Sequence, residues 1–165
     1  MERESGRPAD SFEALVTRHE KTLYRAALAV VGNVHDAEDA VQETFLKVYE
    51  KRNPVFESAE HEKAWLIKVT VNCCRNKLMS SWFRKTVPLL ETYPAKDEEQ
   101  QELMEQVMAL APKYRAVIHL YYYEGYSTAE VAEILGKKEG TVRSLMSRAR
   151  NQLKVKMMED EDGTI

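Results

Sequence analysis

The sequence predicts an all-α protein of two small helical domains joined by a flexible linker, and three observations predict it. Apolar residues recur at 3.6-residue spacing along most of the 165-residue chain, with no run of alternating apolar and polar residues to suggest a strand. Ser127 to Lys154, STAEVAEILGKKEGTVRSLMSRARNQLK, spells a helix-turn-helix with a basic second helix. Between basic Lys85 and acidic Glu98 the composition changes sign around Pro88 and Pro94, as at a domain boundary. The length suits one ordinary domain or two small ones. These features place a first domain at 9–84, a linker at 85–100 and a second domain at 101–157.

Phe12 to Val31 reads as the first helix, apolar at Phe12, Leu15, Val16, Leu23, Ala27 and Val30 and broken by Gly32-Asn33. Val34 to Arg52 is the second, ended by Asn53-Pro54, with Val34, Ala37, Val41, Phe45 and Val48 as its core stripe. Opposite that stripe lie Asp39, Gln42, Glu43 and Leu46, with Asp36 one turn before them. Spacing alone allows two readings of this face. It is either a solvated surface with one exposed leucine or an apolar anchor ringed by acid, built to dock a basic partner.

The third helix, from about Glu62 to Phe83, carries one apolar stripe at Ile67, Val71, Cys74 and Leu78 and another at Leu66, Val69 and Cys73. Its remaining face presents Trp65, Lys68, Asn72, Arg75 and Asn76. An aromatic ring among cations and amides suits single-stranded nucleic acid, since the ring can stack on an unpaired base while cations follow the backbone. The competing reading makes Trp65 a core residue. Glu102 to Leu110 opens the second unit, and Pro112 fits the first turn of the next helix.

In the helix-turn-helix, Ser127 and Glu130 fit a capping box, Val131, Ala132, Ile134 and Leu135 form the short first helix, and Gly136 ends it in a left-handed conformation. The second helix buries Val142, Leu145, Met146, Ala149 and Leu153. It turns Arg143, Ser144, Ser147, Arg148, Arg150, Asn151 and Lys154 outward. Charge for phosphates and short donors for base edges are what a major-groove reader needs. A surface helix with solvated cations is the plainer alternative.

The net charge of −3 argues against nucleic-acid binding, but its distribution argues for it. Lys63 to Leu90 holds six cations and no acid, and Lys137 to Lys156 holds seven cations against Glu139 alone. Acid gathers elsewhere, in the second helix, at Asp97–Glu105 and in the tail from Glu159 to Asp162. Two basic blocks in an acidic chain fit two sites on one polyanion. Cys73 and Cys74 are adjacent on a helix, a poor geometry for a disulfide, and read as reduced packing residues. No signal peptide or membrane span is expected, so the chain reads as cytoplasmic. Nor is a catalytic or metal site, a cofactor or an enzyme expected: His19, His35, His61 and His119 are scattered, and there is no glycine-rich phosphate loop.

Three segments together resemble the sigma-70 family of transcription initiation factors. DAEDAVQETFLKVY (Asp36 to Tyr49) is similar to region 2.2, AWLIKVTVNCCRNKL (Ala64 to Leu78) to regions 2.3 and 2.4, and Leu110 to Leu153 to region 4. They occur in the family's order, and the gap from about Arg84 to Gln100 leaves no room for a region 3 domain. That layout resembles the extracytoplasmic function (ECF) group. The resemblance implies a sigma factor that binds core RNA polymerase through the β′ clamp helices and the β flap, binds promoter DNA, and is a monomer outside its complexes. It implies an anti-sigma factor as a further partner, in this group often membrane-anchored.

By matching position, Asp36, Asp39, Gln42, Glu43 and Leu46 would bind polymerase, and Trp65, Lys68, Asn72, Arg75 and Asn76 the −10 element. Ser58 to Lys63 would be the loop that helps capture a flipped −10 base, and Thr141, Arg143, Ser144, Ser147 and Arg148 would read the −35 element. The family often has Arg where this chain has Leu145, and His or Phe where it has Ser147, implying a missing phosphate contact and an altered −35 preference. The acidic linker suits a positively charged RNA exit channel. A stand-alone helix-turn-helix regulator acting as a dimer on palindromic sites is the alternative from another class.

Overall fold

The first helix, α1 (Phe12–Val31), sets the architecture because its last six residues have no face for water. Ala26, Ala27, Leu28, Ala29, Val30 and Val31 are buried one after another. A helix apolar all round belongs at the centre of a core. The computed structural model, which describes residues 12–51, 56–80 and 105–163, puts it there. Helices α2 (Val34–Glu50) and α3 (Ala59–Ser80) pack on α1 and on each other as a three-helix unit. Helices α4 (Pro112–Ile118), α5 (Thr128–Leu135) and α6 (Glu139–Gly163) form the second unit, and α4 also packs on α1. The buried side chains of both units join in one continuous cluster. All regular structure among the described residues is helical. The expected linker, 85–100, lies outside them, as do Arg52 to Val55 and the end of the third helix beyond Ser80.

Local chemistry sets the helix ends. Gly32 takes φ 78°, a left-handed conformation that an L side chain resists, and closes α1 through its N–H to the Leu28 carbonyl at 2.9 Å. Asn33 then caps α2, its Oδ1 accepting the Asp36 N–H at 2.8 Å. The third helix starts at Ala59 rather than Glu62, because Ser58 Oγ accepts the His61 N–H at 3.0 Å and supplies the cap one turn early. The chain after α4 widens into a π-helical turn, His119–Tyr123, closed by the Glu124 N–H to the His119 carbonyl at 3.0 Å. Sequence reading missed this turn; it points His119 and Leu120 inward and leaves Tyr121 and Tyr122 exposed.

Polar ties fix the register of the first unit. The buried carboxylate of Glu62 on α3 lies 2.6 Å from His19 Nε2 and accepts from Arg18 at 2.9 Å, both on α1. The buried hydroxyls of Thr44 on α2 and Thr70 on α3 meet at 2.9 Å. Cys73 and Cys74 are free and buried, and burial pushes both thiols up, which keeps them inert packing residues. Among the described residues no helix is long and apolar enough to cross a membrane.

Leu66 and Leu46 make a controlled pair for this packing. Leu66 is fully buried, so Leu66→Ala should cost about 2–5 kcal/mol of unfolding free energy. Leu46 is 56% exposed, so Leu46→Ala should shift it by no more than about 0.5 kcal/mol. Urea titrations of both variants check this, and equal losses would mean that the packing is misassigned.

Candidate nucleic-acid interface

The helix-turn-helix forms as its residues dictate. Ser127 Oγ accepts the Glu130 N–H at 3.1 Å while Glu130 Oε1 accepts the Ser127 N–H at 3.0 Å, completing the capping box. At the other end of α5, Gly136 sits at φ 65°, with Gly136 N–H to Glu133 O and Lys137 N–H to Ala132 O closing a Schellman motif. Glu139 then braces the two helices, accepting from Thr128 Oγ1 at 2.8 Å and from Arg143 at 2.9 Å. Val142, Leu145, Met146 and Ala149 of α6 are buried, whereas Thr141, Arg143, Ser144, Ser147 and Arg148 are all exposed. Leu145 is thus a core position, where an arginine would face apolar side chains rather than DNA. Arg150, read as outward-facing, donates to the Tyr122 hydroxyl at 2.9 Å.

On α3, Lys68, Asn72 and Asn76 are exposed, while Trp65 and Arg75 are half-buried. The Trp65 ring lies 5.4 Å from that of Phe56, and Lys51 Nζ sits 5.2 Å from its centroid. Trp65 is thus half-buried, packed against Phe56 with Lys51 over its ring, and fits neither reading wholly. Arg75 donates to the backbone carbonyl of Leu135, at the end of α5 in the other unit. The segment from Ala59 to Lys63, expected in a loop, forms the first turns of α3, and Ser58 caps it.

Gln42, Glu43 and Leu46 of α2 are exposed and Asp39 is half-exposed, so these four share an open face. Asp36 does not belong to it. It is buried at the start of α2, where Asn33 Nδ2 donates to its carboxylate at 3.0 Å, so its evident work is in the cap. The acidic face already meets one cation of its own chain: Lys77 of α3 lies 2.9 Å from Glu43 and 3.9 Å from Asp39. Burial alone would lower the Lys77 pKa, but the bond to Glu43 and the charges of Glu43, Asp39 and Asp36 outweigh it and raise it. His35, Asp36 and Asp39 come close enough to offer a metal three ligand atoms. Their ordinary partners in the cap and the i,i+4 pair account for them without one.

Sequence reading missed a set of residues between the units. Arg115 of α4 is buried, and its guanidinium donates to four carbonyls: Ala29 at 2.7 Å, Val30 at 2.8 Å, Leu110 at 3.0 Å and Met108 at 3.3 Å. Burial pushes its pKa down to about 10, so it stays charged at neutral pH. Nearby, Glu124 is held by Lys63 at 3.0 Å and His119 at 3.2 Å. Burial would raise its pKa, but those two hydrogen bonds and charges prevail and lower it. A lone arginine in the run Tyr114-Arg115-Ala116-Val117-Ile118 carried no local pattern by which to find it.

Comparison with known proteins bears on what this arrangement is. The Sigma-70 region 2 family pattern matches residues 15–84, and the Sigma-70 region 4 pattern matches residues 100–153. The ECF RNA polymerase sigma factor SigL of Mycobacterium tuberculosis is 31% identical over 158 residues, covering 90% of this chain and 89% of SigL. SigM of the same species, also an ECF sigma factor, is 32% identical, covering 87% of this chain and 75% of SigM. Among solved structures, the sigma factor RpoE bound to the anti-sigma factor NepR, from Bartonella quintana, superposes with a TM-score of 0.68 at 26% identity. That match covers 87% of this chain and 94% of RpoE. A helix-turn-helix regulator with an unrelated dimerising domain is not favoured, because the region 2 match occupies the whole first unit. With the two sigma-70 regions in order and SigL aligned over 89% of its length, the chain belongs to the ECF group of sigma-70 family sigma factors, alternative sigma factors that direct promoter-specific transcription initiation.

Proposed function

We propose that the two units divide the promoter between them: 9–84 binds core polymerase and the −10 element, 85–100 is a linker, and 101–157 binds the −35 element. The observation that carries this reading is the partition of α6, whose apolar residues are buried while Thr141, Arg143, Ser144, Ser147 and Arg148 are exposed together. Gln42, Glu43, Leu46 and Asp39 dock on the basic partner, the β′ clamp helices, with Lys77 giving up its hold on Glu43. The second unit meets the β flap. Trp65, Lys68, Asn72, Arg75 and Asn76 hold the non-template strand of the −10 element once it is single. The protein works in the cytoplasm, performs no catalysis and needs no cofactor. Its regulating partner is an anti-sigma factor, by analogy with the RpoE–NepR complex.

Docking is tested by combining Asp39→Arg with Leu46→Ala. Both positions are at least partly exposed, so far-UV CD and thermal melting should hardly change, while co-purification with core polymerase is lost. A folded double mutant that still binds core would refute this face.

The −35 assignment separates base readers from phosphate contacts. A lost base-edge contact should cost about 1–3 kcal/mol at one promoter position, whereas a lost phosphate contact weakens all sequences alike. Selecting −35 variants against Ser144→Ala and against Arg148→Ala should change the sequence ranking for at least one. Unaltered rankings in both would move base reading to other residues.

Trp65→Ala should impair open-complex formation more than promoter association, since base–aromatic stacking is worth about 1–3 kcal/mol per base. A pre-melted bubble template should restore much of the loss. A large fall in melting temperature without bubble rescue would assign Trp65 to packing alone.

A further inference from the structure

Glu139 is the first residue of α6 and the one acid among seven cations from Lys137 to Lys156. For affinity alone it is misplaced, since binding to DNA is driven by cations that neutralise phosphates. An acid in the first turn of a helix does gain from the dipole, but that gain needs no fixed orientation of the side chain. Glu139 has one. Its Oε2 accepts from Thr128 Oγ1 at 2.8 Å and from Arg143 Nη2 at 2.9 Å, so a donor on each helix of the pair pins it. Both bonds fall on the same oxygen, and among the described residues no donor meets Oε1. The side chain is 38% exposed, beside the exposed Thr141, Arg143 and Ser144.

The second helix of a helix-turn-helix meets base edges in the major groove with its N-terminal residues. A pinned carboxylate at that end accepts hydrogen bonds and donates none. Cytosine and adenine present an amine donor in the groove, whereas guanine and thymine present acceptors to such a group. Adenine sets its N7 acceptor beside the amine, which a carboxylate opposes. Cytosine presents only the N4 amine.

From this geometry we infer that Glu139 is a specificity-determining residue for the −35 element, its Oε1 accepting from the N4 amine of a cytosine. The inference rests on the proposed reading of that element by α6. On docking, Arg143 gives up Glu139 for a phosphate, and Thr128 keeps the carboxylate in place. Opposite guanine or thymine the carboxylate faces another acceptor, and both lose water without gaining a partner. Discrimination therefore comes as much from the bases rejected as from the base accepted. The loss of affinity that an acid brings to a basic helix is what this selectivity costs.

The test uses holoenzyme, assembled from the full-length protein and core polymerase, on promoters randomised over the −35 element. The wild type should enrich cytosine at one −35 position by about tenfold, the scale of a single base-edge contact. Glu139→Gln keeps an acceptor for Thr128 and adds a donor. Preference at that position alone should then move to adenine, which glutamine reads through N6 and N7. Glu139→Ala should level the four bases there and leave the other positions in their order. Thr128→Val keeps the shape without the hydroxyl and should weaken the cytosine preference, with far-UV CD unchanged. Contact with the amine is checked by placing 2-pyrimidinone, cytosine without that group, at the same position. It should cost the wild type about tenfold and Glu139→Ala nothing. The role is overturned if the wild type enriches no cytosine, if folded Glu139 variants keep its ranking, or if loss of the amine costs both proteins alike. Rankings altered by Ser144→Ala or Arg148→Ala but not by Glu139→Gln strike Glu139 alone. A wild type that ranks no −35 sequence above another strikes the reading by α6, and this inference with it.

Discussion

A helix buried on every side must end somewhere, and its last carbonyls then lie far from water. That constraint falls on α1, whose residues from Ala26 to Val31 are all buried. Unpaired backbone carbonyls in such a place are costly, and the short turn to α2 supplies the Gly32 N–H, which bonds Leu28, and the Asn33 amide, which reaches Val31 at 3.5 Å. The remaining need is met from elsewhere in the chain by Arg115, whose donors are shared among Ala29, Val30, Leu110 and Met108. An arginine buried without a carboxylate is unusual, and four carbonyls at the negative end of a helix are what make it tolerable. The position of α4, and with it the second unit, follows from where that guanidinium has to be.

Much of this was legible in the sequence where the signal is local. The span of α1, the Gly32-Asn33 break, the capping box at Ser127 and Glu130 and the left-handed Gly136 depend on residues within a turn of one another, and the structure matches them. So does the division of α6 into buried and exposed sides. Reading failed where the partner is distant. Nothing near Arg115 announces carbonyls some 85 residues earlier, nor near Glu124 that Lys63 and His119 close on it. Asp36 is assigned to the polymerase-binding set by matching position, whereas its place three residues after Asn33 makes it a capping partner. Spacing allows Trp65 two roles, and its half-buried setting beside Phe56 and Lys51 shows why spacing cannot choose between them.

Placement resolves the paradox of an acidic protein that works on a polyanion. Glu38, Asp39 and Glu43 of α2 stand outside the buried core, the last two partly neutralised by Lys77, whereas the cations of α6 as far as Lys154 stand on its exposed side with Glu139 alone opposed among those residues. Exposed pairs of this kind contribute little to stability, typically about 0–1 kcal/mol, so giving them up to a partner costs little. Arg143 can exchange Glu139 for a phosphate, and Lys77 can release Glu43, without disturbing the fold. The buried contacts at the seam differ in kind. Their charges are desolvated, so parting the two units would mean rehydrating Arg115, Glu124 and the end of α1 together.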